Sequence, residues 1–82
     1  MNRVKLLFFA TLRDRAGTKS VELDIPPDLT IQGLKDKISS EYPSLKESMS
    51  SVLITINREY AFDDALIPQN AELAMFPPVS GG

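Results

Sequence analysis

The sequence predicts an α+β domain, a sheet with one main helix packed across it, and three observations carry that prediction. Residues 20–25 alternate polar and apolar, residues 31–38 carry an apolar stripe at helical spacing behind a threonine, and three further short apolar runs are bounded by turn residues. Eighty-two residues make one domain. A chain of that size buries about 60–65% of its unfolded surface, enough for a modest core and too little for a large enclosed active site.

Val4-Lys5-Leu6-Leu7-Phe8-Phe9 reads as the first strand. With Val4, Leu6 and Phe8 on the core side, Lys5 marks the other face, and Leu7 and Phe9 share it. Residues 10–19, with Arg13-Asp14-Arg15 and Gly17, read as a solvated connection. Ser20-Val21-Glu22-Leu23-Asp24-Ile25 puts Val21, Leu23 and Ile25 on one side, and Pro26-Pro27 stops the strand. Thr30 then caps the one convincing helix, with Leu29 placed to staple against Leu34; Gly33 leaves the capping box without its carboxylate. Ile31, Leu34 and Ile38 form a stripe that packs on the core, and Pro43 disfavours helix at Tyr42, so the helix ends near Glu41.

Residues 44–51 are serine-rich without a clear period and read as a loop into which Leu45 or Met49 can tuck. Val52-Leu53-Ile54-Thr55-Ile56 is a central strand. Asn57-Arg58-Glu59-Tyr60 is its turn, with Tyr60-Ala61-Phe62 returning. Leu66-Ile67-Pro68 reads as a short turn or a single helical turn, and Gln69-Asn70 is the last reversal before the strand Glu72-Leu73-Ala74-Met75-Phe76.

Composition removes whole classes of function. A net charge of -2 with no basic run excludes a phosphate backbone as partner. No apolar stretch is long enough to span a bilayer, and Met1-Asn2-Arg3 leads straight into a strand pattern, so the expectation is a cytoplasmic protein, or a stromal or matrix one behind a removed transit peptide. Without Cys or His there is no disulfide, Cys-ligated zinc, thiol nucleophile or imidazole base. Adjacent Asp63 and Asp64 read as a solvated turn, since no other ligand is spaced to join them, and no metal site is predicted.

The informative stretch is the last six residues, Pro77-Pro78-Val79-Ser80-Gly81-Gly82. Two prolines cannot continue a central strand, so the domain is expected over residues 1–76 and an extended tail over 77–82, reaching at most ~20 Å. Glycines at the final two positions let a backbone carboxylate enter a channel too narrow for a Cβ.

This hexapeptide resembles the ending of the molybdopterin synthase small-subunit family, ubiquitin-like sulfur carriers. Val4-Lys5-Leu6-Leu7-Phe8-Phe9-Ala10 with Leu12-Arg13-Asp14 and Gly17 is similar to the family's opening strand and loop, and Ile56-Asn57-Arg58-Glu59-Tyr60 to its central hairpin. Where the family carries an acidic, glycine-containing turn, this chain has Gln69-Asn70-Ala71-Glu72. Asn tolerates left-handed φ, so the departure bears on turn stability and not on function.

The resemblance implies a β-grasp with a mixed sheet of four to five strands, the first and last parallel at its centre. It implies that an activating enzyme consumes ATP to adenylate the Gly82 carboxylate and that a sulfur donor displaces AMP to leave a thiocarboxylate, with Gly81 giving access. The tail then enters the large synthase subunit, whose residues catalyse transfer of sulfur to cyclic pyranopterin monophosphate. Two transfers build the dithiolene of molybdopterin, in a heterotetramer of two small and two large subunits. No cofactor is expected on the carrier itself. Strand parity places Phe9 and Phe76 on the partner-facing side, the resemblance adds Tyr60, and Pro77, Pro78, Val79 and Ser80 line the approach to the channel. Carriers for thiamine or tRNA thiolation use the same terminal chemistry, and a ubiquitin-like interaction or conjugation module is the alternative of a different class.

Overall fold

Alternation dictates the first strand. In the structure, a computed structural model that describes residues 2–78, β1 (Asn2–Phe8) buries Val4, Leu6 and Phe8 and turns Lys5 outward. Five strands follow the order β2-β1-β5-β3-β4, with β2 spanning Ser20–Ile25, β3 Leu53–Ile56, β4 Glu59–Ala61 and β5 Glu72–Phe76. All neighbours are antiparallel except β1 and β5, which run parallel with Leu6 beside Leu73 and Phe8 beside Met75. The mixed sheet thus has its first and last strands together at its centre, as the resemblance implies. The expected tail begins at Pro77, and its residues 79–82 lie outside the described residues.

Helix α2 (Ile31–Glu41) starts as its cap requires: the Thr30 hydroxyl accepts from the Gly33 amide at 3.2 Å. Leu29 lies over Gly33, where an added Cβ would come within 2.5 Å of its Cδ1, so a side chain there would make Leu29 shift. Ile31, Leu34 and Ile38 are fully buried and join the strands in one core.

Four expectations need correction. Residues 10–19 are not merely a solvated connection. They contain a short helix, α1 (Thr11–Ala16), anchored by the buried Leu12 and closed by Gly17 at φ 78, whose amide bonds the Arg13 carbonyl at 3.0 Å. Six residues with one apolar anchor are too few to show a period. Similarly, residues 43–50 form a 3₁₀ helix (Pro43–Ser50) rather than a loop, because Pro43 suits a first helical turn and both Leu45 and Met49 go into the core. These two helices are tied together: the Ser44 hydroxyl donates to the Arg15 carbonyl at 2.9 Å, and Arg15 Nη1 donates to Ser48 Oγ at 3.2 Å.

The central turn is tighter than expected. Only Asn57 and Arg58 form it, both left-handed at φ 49 and 73, so β4 begins at Glu59. Finally, Leu66-Ile67-Pro68 forms no helical turn. Its backbone is claimed by the start of α2: the Ile31 amide bonds the Ala65 carbonyl at 3.0 Å, the Ile67 amide bonds the Leu29 carbonyl at 3.1 Å, and Ile67 is buried. Among the described residues, no helix is long and apolar enough to cross a membrane.

Asn2 is a buried polar side chain that the strand pattern does not reveal. Its Nδ2 donates to the Pro68 carbonyl at 2.9 Å and its Oδ1 accepts from the Asn70 amide at 3.0 Å, clamping the last reversal to the start of β1. Removing it breaks two part-buried hydrogen bonds, which together contribute ~1–3 kcal/mol. Asn2→Ala is therefore expected to lower the unfolding free energy by that amount in urea titrations; an unchanged midpoint would show that the clamp is dispensable.

Candidate functional site

The sheet has one face on the core and one face outward, and the strand registers sort the outward side chains into rows. At one end lies a row of alternating charge. Glu22 on β2 stands opposite Lys5 on β1, Lys5 beside Glu72 on β5, and Arg58 of the turn approaches Glu72 at 3.9 Å. Arg3, on the same face, reaches Glu22 at 3.5 Å and Asp24 at 3.6 Å. The next row is mostly small or apolar: Leu7, Ala74, Thr55 and Tyr60. The third is Phe9, Phe76 and Leu53.

The rings of Phe9 and Phe76 stack with centroids 4.7 Å apart and planes within 8°. The stack follows from topology: parallel pairing of β1 and β5 brings the ends of both strands to the same edge, and the Phe9 amide bonds the Met75 carbonyl at 3.2 Å. Phe9 remains 40% exposed and Tyr60 75% exposed. Between them lies an open depression of about 450 Å³ floored by Leu7, Thr55 and Ala74, with Arg58 and Glu72 on its rim.

Phe9, Phe76 and Tyr60 are therefore brought to one surface. Half-buried Pro77 and exposed Pro78 continue from β5 at the aromatic end. Val79, Ser80, Gly81 and Gly82 lie outside the described residues. One member of the face is not among the residues singled out in the sequence: Leu53, 38% exposed and paired with Phe76. It was legible by parity, since it alternates with the buried Ile54. Asp63 is occupied by an ion pair with Lys35 at 2.6 Å. An apolar, aromatic-rich patch at a sheet surface is suited to binding another macromolecule rather than to bond chemistry.

Residues 6–82 match the ThiS family. The chain belongs to that family. Among curated relatives, the molybdopterin synthase sulfur carrier subunit of Arabidopsis thaliana is 38% identical over 79 residues, covering 96% of this chain and 82% of the relative. That of Dictyostelium discoideum is 36% identical, covering 99% and 98%. These are members of the carrier family that the hexapeptide resembles. Of solved structures, SAMP1 from Haloferax volcanii superposes with a TM-score of 0.83 at 30% identity, over 99% of this chain and 100% of that one. The ubiquitin of Caldiarchaeum subterraneum, 14% identical, matches 99% and 98% of the two chains with a TM-score of 0.66, which shows the shared fold alone. The ThiS-family chain is thus a ubiquitin-like β-grasp.

Aromatic stacking contributes beyond burial by ~0.5–1.5 kcal/mol. A double-mutant cycle on Phe9→Ala and Phe76→Ala, followed by urea unfolding, is expected to give a coupling energy in that range, and a coupling near zero would show that the rings merely coincide.

Proposed function

We propose that this chain is the sulfur carrier subunit of a molybdopterin synthase, that its outer sheet face docks on the large subunit, and that Gly82 is the group that carries sulfur. The observation that supports this most directly is the stack of Phe9 on Phe76. It lies where β5 hands over to Pro77 and Pro78, so an interface built on it also fixes where the tail leaves the domain. The family match extends through residue 82, and the curated relatives are named for this role.

The chemistry explains the division of labour. A carboxylate is a poor acyl electrophile, so an activating enzyme spends ATP to join the Gly82 carboxylate to AMP with loss of pyrophosphate. Sulfur from a donor then attacks the acyl carbon, AMP departs, and a thiocarboxylate remains. In the large subunit that sulfur passes to cyclic pyranopterin monophosphate, and a second charged carrier completes the dithiolene. Having neither Cys nor His, the carrier supplies no thiol nucleophile and no imidazole base. Its partners supply them, in the cytoplasm. A second reading, a conjugating modifier, draws support from the likeness to SAMP1, small archaeal modifier protein 1. It shares the terminal activation and differs in the acceptor, a lysine amine.

Incubation with the activating enzyme, ATP and a sulfur source is expected to replace one oxygen by sulfur in the intact mass, localised to the C-terminal peptide. Deleting Gly82, or appending one residue, should leave the domain folded and abolish charging; an extended protein charged without trimming would refute the terminal-acyl mechanism. On the docking face, Phe76→Arg is expected to keep the circular dichroism spectrum and to weaken large-subunit binding by ~2 kcal/mol or more, as at an interface hot spot. Unaltered affinity in titration calorimetry would remove Phe76 from the interface.

A further inference from the structure

A two-residue hairpin turn with both central residues left-handed favours Asn followed by Gly, because Gly alone accepts positive φ without a steric cost from Cβ. Here the second position is Arg58, at φ 73. The strain has no visible return within the domain. Arg58 is 90% exposed in its side chain, and its ion pair with Glu72 is long, at 3.9 Å, and half in water. Such a pair contributes little to stability. The other central residue does have a local role: the Asn57 amide bonds the Glu72 carbonyl at 2.8 Å, and its Oδ1 accepts from the Glu72 amide at 2.9 Å. Arg58 has no comparable one, yet its guanidinium stands on the rim of the depression floored by Leu7, Thr55 and Ala74.

From the geometry we infer that Arg58 recognises a carboxylate on the protein segment that docks against the outer sheet face. That segment places an apolar side chain against Phe9, Phe76 and Tyr60 and an Asp or Glu at the rim. The inference rests on the docking role proposed above and adds the chemistry of the partner. A guanidinium suits this task, since its planar fork binds a carboxylate in two parallel hydrogen bonds. Water leaves the rim as the apolar side chain seats, which strengthens a pair that bulk solvent keeps weak in the free domain. Glu72 is not abandoned when Arg58 turns to the partner, because Lys5 lies beside it on β1. The alternating row Glu22, Lys5, Glu72 is complete on its own, and Arg58 is the cation at its open end.

The test separates stability from binding in the same variants. Arg58→Gly is expected to unfold at higher urea, since the strain is relieved, and yet to bind the large subunit about tenfold more weakly, the scale of one charge-assisted hydrogen bond. Its affinity should also depend less on salt than that of the parent. Arg58→Gln keeps the strained backbone, so it should lose similar affinity with no gain in stability. Arg58→Gly binding as tightly as the parent would overturn the inference, as would a lower urea midpoint for that variant, because the fold would then be what holds Arg58. Phe76→Arg measured alongside distinguishes the two failures. If it weakens binding while Arg58→Gly does not, only the role of Arg58 falls; if both bind normally, the docking face itself is wrong.

Discussion

The parallel pairing of β1 with β5 is the constraint on which the rest of this structure depends. It joins the two ends of the chain at the middle of the sheet, and each strand contributes its alternate residues to the same core: Leu6 and Phe8 from one, Leu73 and Met75 from the other, all essentially without solvent contact. Parallel strands need a long crossover between them. Here the crossover is everything else in the domain, including β2, α2 and the β3–β4 hairpin. The Asn2 clamp on residues 67–70 closes the same circuit from the other end of β1.

That pairing also makes the outer face directional. The registers place charge at one end and aromatic rings at the other, so a partner meeting this surface finds a unique orientation rather than a uniform greasy patch. Alternating signs in the row Glu22, Lys5, Glu72, Arg58 keep the net field small, which disfavours indiscriminate attraction while still giving a complementary partner something to read. The exposed rings of Phe9, Tyr60 and Phe62 are a solubility cost that an isolated domain has no reason to carry.

How much of this was legible follows from which residues carry a repeating signal. Val4, Leu6, Phe8 and Leu23, Ile25 alternate, and Ile31, Leu34, Ile38 recur at helical spacing, so both strands and α2 could be read with their faces. Parity alone brought Phe9 and Phe76 to the same side. The misses share a cause: α1 and the 3₁₀ helix are held by one or two buried residues apiece, Leu12 in one and Leu45 and Met49 in the other, too few to establish a period against their polar neighbours. Residues 65–67 take their shape from hydrogen bonds to residues 29 and 31, a partner more than thirty positions away that no local pattern encodes. Leu53 was legible in principle, since it alternates with Ile54, but residues 52–56 were read only as a central strand, without a face.

On the proposed function, in which the chemistry resides at Gly82, the domain needs stiffness at the point of departure more than an active site of its own. β5 supplies it: it is flanked on both sides by strands, has Leu73 and Met75 in the core and Phe76 held by its stack on Phe9, and ends where the prolines begin. A terminus leaving from an edge strand such as β4, three residues long and paired on one side, would inherit that strand's looser placement. Fixing the departure point to the buried centre leaves a partner a pre-set position for Pro77, so the domain itself adds little to the ordering cost of binding. In this way the same pairing that folds the protein also prepares the proposed hand-over of its last residues.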